Sequence, residues 1–191
     1  DLVRSRGLGD VYKRQTYIVA GGTACADSAT VTVSIQTPPA DAGPNTALCI
    51  GDTVQLNATG GTIYAWTPGA TLSDAAIADP FASPSATTTY VVSVTDGQGC
   101  VALDSLVATV NLLPVADAGP DAEICLTASI TIGGSPTGPA GSSFLWTPSA
   151  GISNVNAANP TAQPVATITY TVLVTDVNQC GASDSVTVTV N

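Results

Sequence analysis

The chain has no histidine and no methionine, and no lysine or arginine follows Arg14. Its four basic residues, Arg4, Arg6, Lys13 and Arg14, all lie in the head. From Gln15 to Asn191 there are twelve acids and no base, so the body carries a charge of −12, where the whole chain carries −10. Without cations there is no counterion release on nucleic acid and no attraction to anionic lipid. Without histidine, the usual general base and zinc ligand are missing. Aromatic residues make up 5% of the chain, too few for a sugar-stacking platform. No apolar run approaches the roughly 20 residues needed to cross a bilayer as a helix. Nucleic acid and membrane insertion are therefore not expected among its partners.

The first fifteen residues, DLVRSRGLGDVYKRQ, differ in composition from everything after them. Residues 5–15 resemble a translated transposon-type sequencing adaptor; a genuine basic tail is the alternative. On the adaptor reading the chain is a piece of a longer gene product, and its start says nothing about secretion.

The body is a repeat. Tyr64–Asn111 and Phe144–Asn191 align at an offset of 80 without a gap, with 24 of 48 positions identical. The shared skeleton is W-T-P, then A-x-P-x-A-T-x-T-Y-x-V-x-V-T-D, then C, D-S and T-V-N. Upstream, ADAGP recurs at Ala40–Pro44 and Ala116–Pro120, an offset of 76, so the second copy holds four extra residues, placed around Gly133–Ser143. A partial copy precedes both, with Thr16, Tyr17, Cys25, Asp27 and Ser28 matching Thr89, Tyr90, Cys100, Asp104 and Ser105. The expected organisation is a head (1–15), half a repeat (16–37) and two whole repeats (38–111 and 112–191). The half-repeat should form a two-stranded hairpin, which is marginal in water and has unpaired edges that recruit other strands.

Within each repeat the period is two. Tyr90, Val92 and Val94 alternate with Val91, Ser93 and Thr95, and Tyr170, Val172 and Val174 repeat the pattern. Val186, Val188 and Val190 face one way and Thr187 and Thr189 the other. These Val- and Thr-rich runs are separated by Gly, Pro, Asp and Asn clusters, and no stretch holds a helical period. Six or seven short strands, with a buried Trp mid-repeat and a Tyr on a late strand, predict an all-β fold of tandem immunoglobulin-like antiparallel β-sandwiches. Trp66 and Trp146 are expected in the two cores.

Each whole repeat has one early and one late cysteine, Cys49 and Cys100, then Cys125 and Cys180. That pattern predicts Cys49–Cys100 and Cys125–Cys180 disulfides, with Cys25 unpaired by truncation; five free buried thiols are the alternative. Each bond would close a loop of about 50 residues, worth roughly 4 kcal/mol of chain entropy. Disulfides imply an extracellular home. The spacing is not zinc-like.

ADAGPNTALCIGDTVQLNATGG, YAWTP, ASPSATTTYVVSVTDGQGC and DSLVATVN together resemble the tandem immunoglobulin-like, polycystic-kidney-disease-type (PKD-type) repeats of large secreted Bacteroidota surface proteins, such as gliding-motility adhesins and other type IX secretion cargo. The resemblance implies an extended array at the cell surface that holds something else at a distance or adheres by itself. The second copy departs from it with CLTAS in place of CIGDT, so its early turn is expected to differ.

The acids admit three chemistries. Paired carboxylates could hydrolyse glycosides. However, Asp41 and Asp117, Asp96 and Asp176, and Asp104 and Asp184 recur at matching positions, as turn residues would, so no catalytic residue is assigned and the chain is read as non-enzymatic. Calcium suits carboxylates, and Asp41, Asp117, Asp121 and Glu123 near the joints are the candidates; no D-x-D-x-D-G loop is present, so the signal is weak and solvated turn carboxylates are the favoured reading. No other cofactor is implied. Asp-Ser or Asp-Thr followed by Ala, Leu or Val is similar to a Bacteroidota O-glycosylation sequon, which makes Ser28, Thr53, Ser105 and Ser185 candidate acceptors; a strand-start signal is the alternative. The expected function is that of a spacer and adhesion scaffold in a secreted surface adhesin or stalk. Its expected partners are neighbouring repeats, surface glycans or proteins, or copies of itself. An accessory module of a secreted polysaccharide-degrading enzyme and a self-assembling extracellular filament subunit are the alternatives.

Overall fold

The structure is a computed structural model that describes residues 13–20, 28–35 and 37–191. Among the described residues there is no helix, and the chain runs through fourteen strands. β1 (Lys13–Ala20) and β2 (Ser28–Ile35) form an antiparallel pair. β1 begins at Lys13, three residues inside the head set apart by composition.

Six strands follow in the first whole repeat. They are β3 (Thr46–Cys49), β4 (Val54–Gln55), β5 (Ile63–Thr67), β6 (Phe81–Ala82), β7 (Thr88–Thr95) and β8 (Val101–Asn111). The second repeat has the same six: β9 (Ala122–Ile124), β10 (Ile130–Thr131), β11 (Ser143–Thr147), β12 (Thr161–Ala162), β13 (Ile168–Thr175) and β14 (Gly181–Val190). Each set makes a four-stranded sheet, β3-β8-β7-β5 and β9-β14-β13-β11, and a two-stranded sheet, β4-β6 and β10-β12. The β4-β6, β5-β7, β7-β8, β10-β12, β11-β13 and β13-β14 pairs are antiparallel, and β9 runs parallel to β14, with Ala122, Glu123 and Ile124 opposite Val188, Thr189 and Val190. The chain divides into two compact units. One holds the described residues up to Thr46 together with Thr53–Ser83 and Thr88–Ala108; the other holds Ala47–Asp52, Pro84–Thr87 and Thr109–Asn191.

The alternation read from the sequence is the alternation found. Tyr90, Val92 and Val94 are buried, as are Tyr170, Val172 and Val174. Trp66 is 3% and Trp146 1% exposed, each opposite a buried valine of the Tyr-bearing strand, Val92 and Val172 respectively. In the second repeat the core joins residues from both sheets: Ile132 and Ala162 on one side, Trp146, Tyr170, Val186 and Val188 on the other. The polar ends of the aromatics are satisfied. Trp66 Nε1 donates to Ile77 O and Trp146 Nε1 to Ala157 O, both at 3.0 Å. Tyr170 Oη donates to Ala150 O at 2.6 Å, and Tyr90 Oη meets Thr71 Oγ1 at 2.6 Å.

The turn expected to differ does not. Asp52 N donates to Cys49 O at 3.0 Å and Ala128 N to Cys125 O at 2.9 Å, so CIGDT and CLTAS make the same turn. The difference is in backbone strain. Gly51 has φ +94°, whereas the second copy places the β-branched Thr127 there at φ 73°. A branched L-residue in that region is an outlier. The inserted residues loop out where expected. Asp41 and Thr59 exchange backbone bonds in the first repeat, whereas Asp117 N donates to Thr137 O and Asp117 O accepts from Gly134 N in the second.

Candidate functional site

The groups shared by both repeats are mostly spent on the repeats' own backbones. Asp41 Oδ1 accepts from Gly43 N, and Asp117 Oδ1 from Gly119 N, both at 2.8 Å. Asp96 Oδ1 caps the β7–β8 turn by accepting from Gln98 N and Cys100 N at 2.9 Å; Asp176 does the same for Asn178 N and Cys180 N. The Asp of the Asp-Ser pairs has another task. Asp104 Oδ2 accepts from Ala42 N at 2.7 Å, and Asp184 Oδ2 from Ala118 N at 2.8 Å. Each carboxylate pins the ADAGP segment against the last strand, since a charged acceptor makes the stronger kind of hydrogen bond. The N–H groups of Ala42 and then Ser105 hold the Asp104 carboxyl below its ordinary range.

Recurrence at matching positions predicts turn roles for these aspartates. That holds for Asp41, Asp96, Asp117 and Asp176, but Asp104 and Asp184 lie in mid-strand and tie two segments 62 and 66 residues apart. A strand-start signal at Ser105 and Ser185 is therefore excluded. Other anchoring groups went unread: Thr87 and Thr167 Oγ1 accept from Val110 N and Val190 N, and Ser73 and Ser153 Oγ from Phe81 N and Thr161 N. Their identity between the aligned copies was the available signal.

The candidates for calcium are not gathered. Asp121 Oδ1 accepts from Thr187 N at 2.7 Å, and Glu123 Oε2 from Asn191 Nδ2 at 3.2 Å, while Asp41 and Asp117 are engaged as above. Among the described residues no three His, Cys, Asp or Glu side chains converge as a metal site would. Of the candidate glycan acceptors, Thr53 is exposed in the turn before β4, and Ser105 and Ser185 are exposed on β8 and β14, opposite Val91 and Thr171. Ser28 opens β2.

The cysteine pairing departs from expectation. Cys49 is bonded to Cys180, with Cα atoms 5.6 Å apart, while Cys100 and Cys125 are free. Cys25 lies outside the described residues. The expected Cys49–Cys100 and Cys125–Cys180 bonds are excluded by strand direction. Because β9 runs parallel to β14, Cys125 follows Ile124 and lies beside Asn191, whose N–H donates to Ile124 O at 3.0 Å. Cys180 lies at the other end of β14, just before Gly181. At about 3.3 Å per residue, the two are on the order of 30 Å apart, and a disulfide needs Cα atoms within about 7 Å. The first repeat repeats the problem: Ile50 N donates to Asn111 O, so Cys49 lies at the far end of β8 from Cys100. Cys49, Cys180 and the connecting residues 112–117 all belong to one compact unit.

Two sheets per repeat, one core across them, a buried Trp on the middle strand and a Tyr on the strand it faces decide the architecture. The fold is an immunoglobulin-like β-sandwich. The chain is similar to the PKD domain from the KIAA 1837 protein, with 30% identity over 40% of this chain and 84% of that one, at a TM-score of 0.34. It is similar to a three-immunoglobulin structure of titin domains, with 15% identity over 80% of this chain and 65% of that one, at a TM-score of 0.41. It is also similar to the insect immune protein hemolin, with 14% identity over 92% of this chain and 56% of that one, at a TM-score of 0.40. The chain thus spans less than two thirds of the titin and hemolin structures. No protein-family description and no curated protein matches it.

Proposed function

We propose that this chain is a non-enzymatic spacer and adhesion scaffold, a run of immunoglobulin-like repeats from an extracellular, cell-surface adhesin or stalk. One observation carries the reading: the aspartates common to both repeats are committed to holding backbone in place. What the copies share is a structure rather than a reaction centre. The Cys49–Cys180 bond supports an oxidising compartment. The exposed hydroxyls of Thr53, Ser105 and Ser185 fit the O-glycosylation proposal, which intact-mass measurement of natively produced protein would test. The outer face of the first four-stranded sheet exposes Ile63, Val101 and Leu103, a surface suited to a protein partner.

The localisation and the adhesive role are tested together. Antibody raised against the chain should label intact cells of the source organism, and the soluble chain should compete with their attachment to a surface. Labelling only after lysis would overturn the extracellular reading. Surface labelling without competition would leave a spacer and remove the adhesin.

A further inference from the structure

The Cys49–Cys180 bond spans 131 residues of sequence and closes residues 50–179 into one covalent loop. That loop holds β4 to β13, and with them the connector from β8 to β9. Between Asn111 and Ala122 no strand runs, and the connector carries apolar side chains in solvent: Leu112 is 72%, Leu113 48% and Val115 77% exposed. Exposed segments outside strands are where proteases nick a folded chain. A protease that needs Lys or Arg finds no site after Arg14. What stays open to attack is apolar, and it is unevenly placed. Among residues 37–191, every large exposed hydrophobic side chain, from Ile63 to Val177, lies between the two bonded cysteines. Every aromatic residue there, from Tyr64 to Tyr170, does so too. Outside the loop, Leu48, Val186 and Val188 are buried in strands, and Val190 is half-buried. The rest of the upstream flank, residues 37–45, has three prolines and no aliphatic side chain larger than that of alanine or proline.

We propose that Cys49–Cys180 is a covalent bypass around the connector. When a protease that cuts at apolar residues opens the chain anywhere in 50–179, the bond keeps whatever precedes Cys49 joined to whatever follows Cys180. The cut adds one water across one peptide bond, leaving a new carboxylate and a new amine, and the S–S bond is untouched. A single cut is then a nick and not a release. Release needs a second cut in a flank, where the large apolar side chains are in strands. That continuity matters to the cell rests on the stalk reading above; the bypass itself does not.

Two digestions of the full chain test this. Each is resolved on a denaturing gel with and without reductant, after the free thiols have been alkylated so that no sulfur exchanges. In the first, Leu112→Lys gives the body a single trypsin site, on a residue that is already exposed. Apart from the lost head, the cut chain should run as one band without reductant and as two with it. Two bands without reductant would overturn the bypass. In the second, the unaltered chain is digested with thermolysin, which cuts before Leu, Ile, Val and Phe, and the cuts are located by mass spectrometry. The first cuts should fall within 50–179, and the joined form should outlast them. In Cys180→Ser the fragments should part at the first cut. A first cut in a flank, or separation as fast in the unaltered chain as in Cys180→Ser, would overturn the proposal. So would a chain that thermolysin leaves whole, since its exposed side chains would then need no bypass. Unchanged tryptophan fluorescence of Cys180→Ser guards against a folding defect, and the Leu112→Lys digestion does not depend on that variant. Absence of surface labelling on cells, with the bypass intact on the gel, would remove the stalk and leave the bypass.

Discussion

Replacing Trp146 by alanine tests the core directly, because each whole repeat contains a single tryptophan. Trp146 is 1% exposed and touches the core from the β11 strand, with its indole N–H bonded to Ala157 O. A buried aromatic of this size hides roughly 150–250 Å², worth about 4–6 kcal/mol at about 25 cal/mol per Å². Measured aromatic-to-alanine changes fall at about 3–5 kcal/mol, and the orphaned carbonyl of Ala157 adds to the cost. A repeat of about 80 residues has roughly 4–12 kcal/mol in all, so Trp146→Ala should leave the second repeat unfolded or nearly so. In that variant Trp66 is the only tryptophan and reports the first repeat alone, while far-ultraviolet circular dichroism reports both. Urea titration should show an early loss of roughly half the β signal, with the Trp66 transition displaced far less. Trp146→Phe, which keeps most of the volume and loses the hydrogen bond, should cost about 1–2 kcal/mol. A Trp146→Ala chain whose dichroism midpoint barely moves would refute the placement of this residue in the core.

Three further outcomes are expected. Thr127→Gly and Gln179→Gly, at φ 73° and 66° where the first repeat has Gly51 and Gly99, should each stabilise the second repeat by about 0.5–1 kcal/mol in urea titration; destabilisation would mean those angles are unstrained. Asp104 has its folded pKa lowered, so its contribution is present above the ordinary aspartate value and is lost as pH falls through the lowered one. Asp104→Asn should therefore reduce stability at neutral pH and flatten the acid limb below about pH 4, and identical pH profiles would show that the Ala42 clip contributes nothing. Trypsin should cut only at or before Arg14, since no lysine or arginine follows it; internal fragments by mass spectrometry would contradict the sequence itself.

The fold was legible because its signals are local. Alternation in Tyr90–Val94 and Tyr170–Val174 specifies which face is buried, and the recurrence of W-T-P marks the middle strand in both copies. Strands of two residues, such as β6 and β12, are held by tertiary bonds and leave no period to read. The cysteine pairing failed for a topological reason. Order along the chain tells which cysteine is early and which is late, but not that the first and last strands run parallel. Only the register of Ile124 against Val190 shows that early and late cysteines sit at opposite ends of one repeat. Asp104 and Asp184 were missed in the same way, because Ala42 and Ala118 come to them from more than sixty residues away.

The parallel pairing of β9 with β14 also sets how the second repeat bears load. Tension on the chain draws the N-terminal end of β9 one way and the C-terminal end of β14 the other, along the strand axes. The ladder between Ala122–Ile124 and Val188–Val190, extended by the bonds from Asn191 N to Ile124 O and Leu126 N to Asn191 O, is then sheared. Its hydrogen bonds share the force and must fail together, whereas an antiparallel hairpin pulled from its open end unzips one bond at a time. A pull on those two ends would thus load the ladder in shear rather than by unzipping.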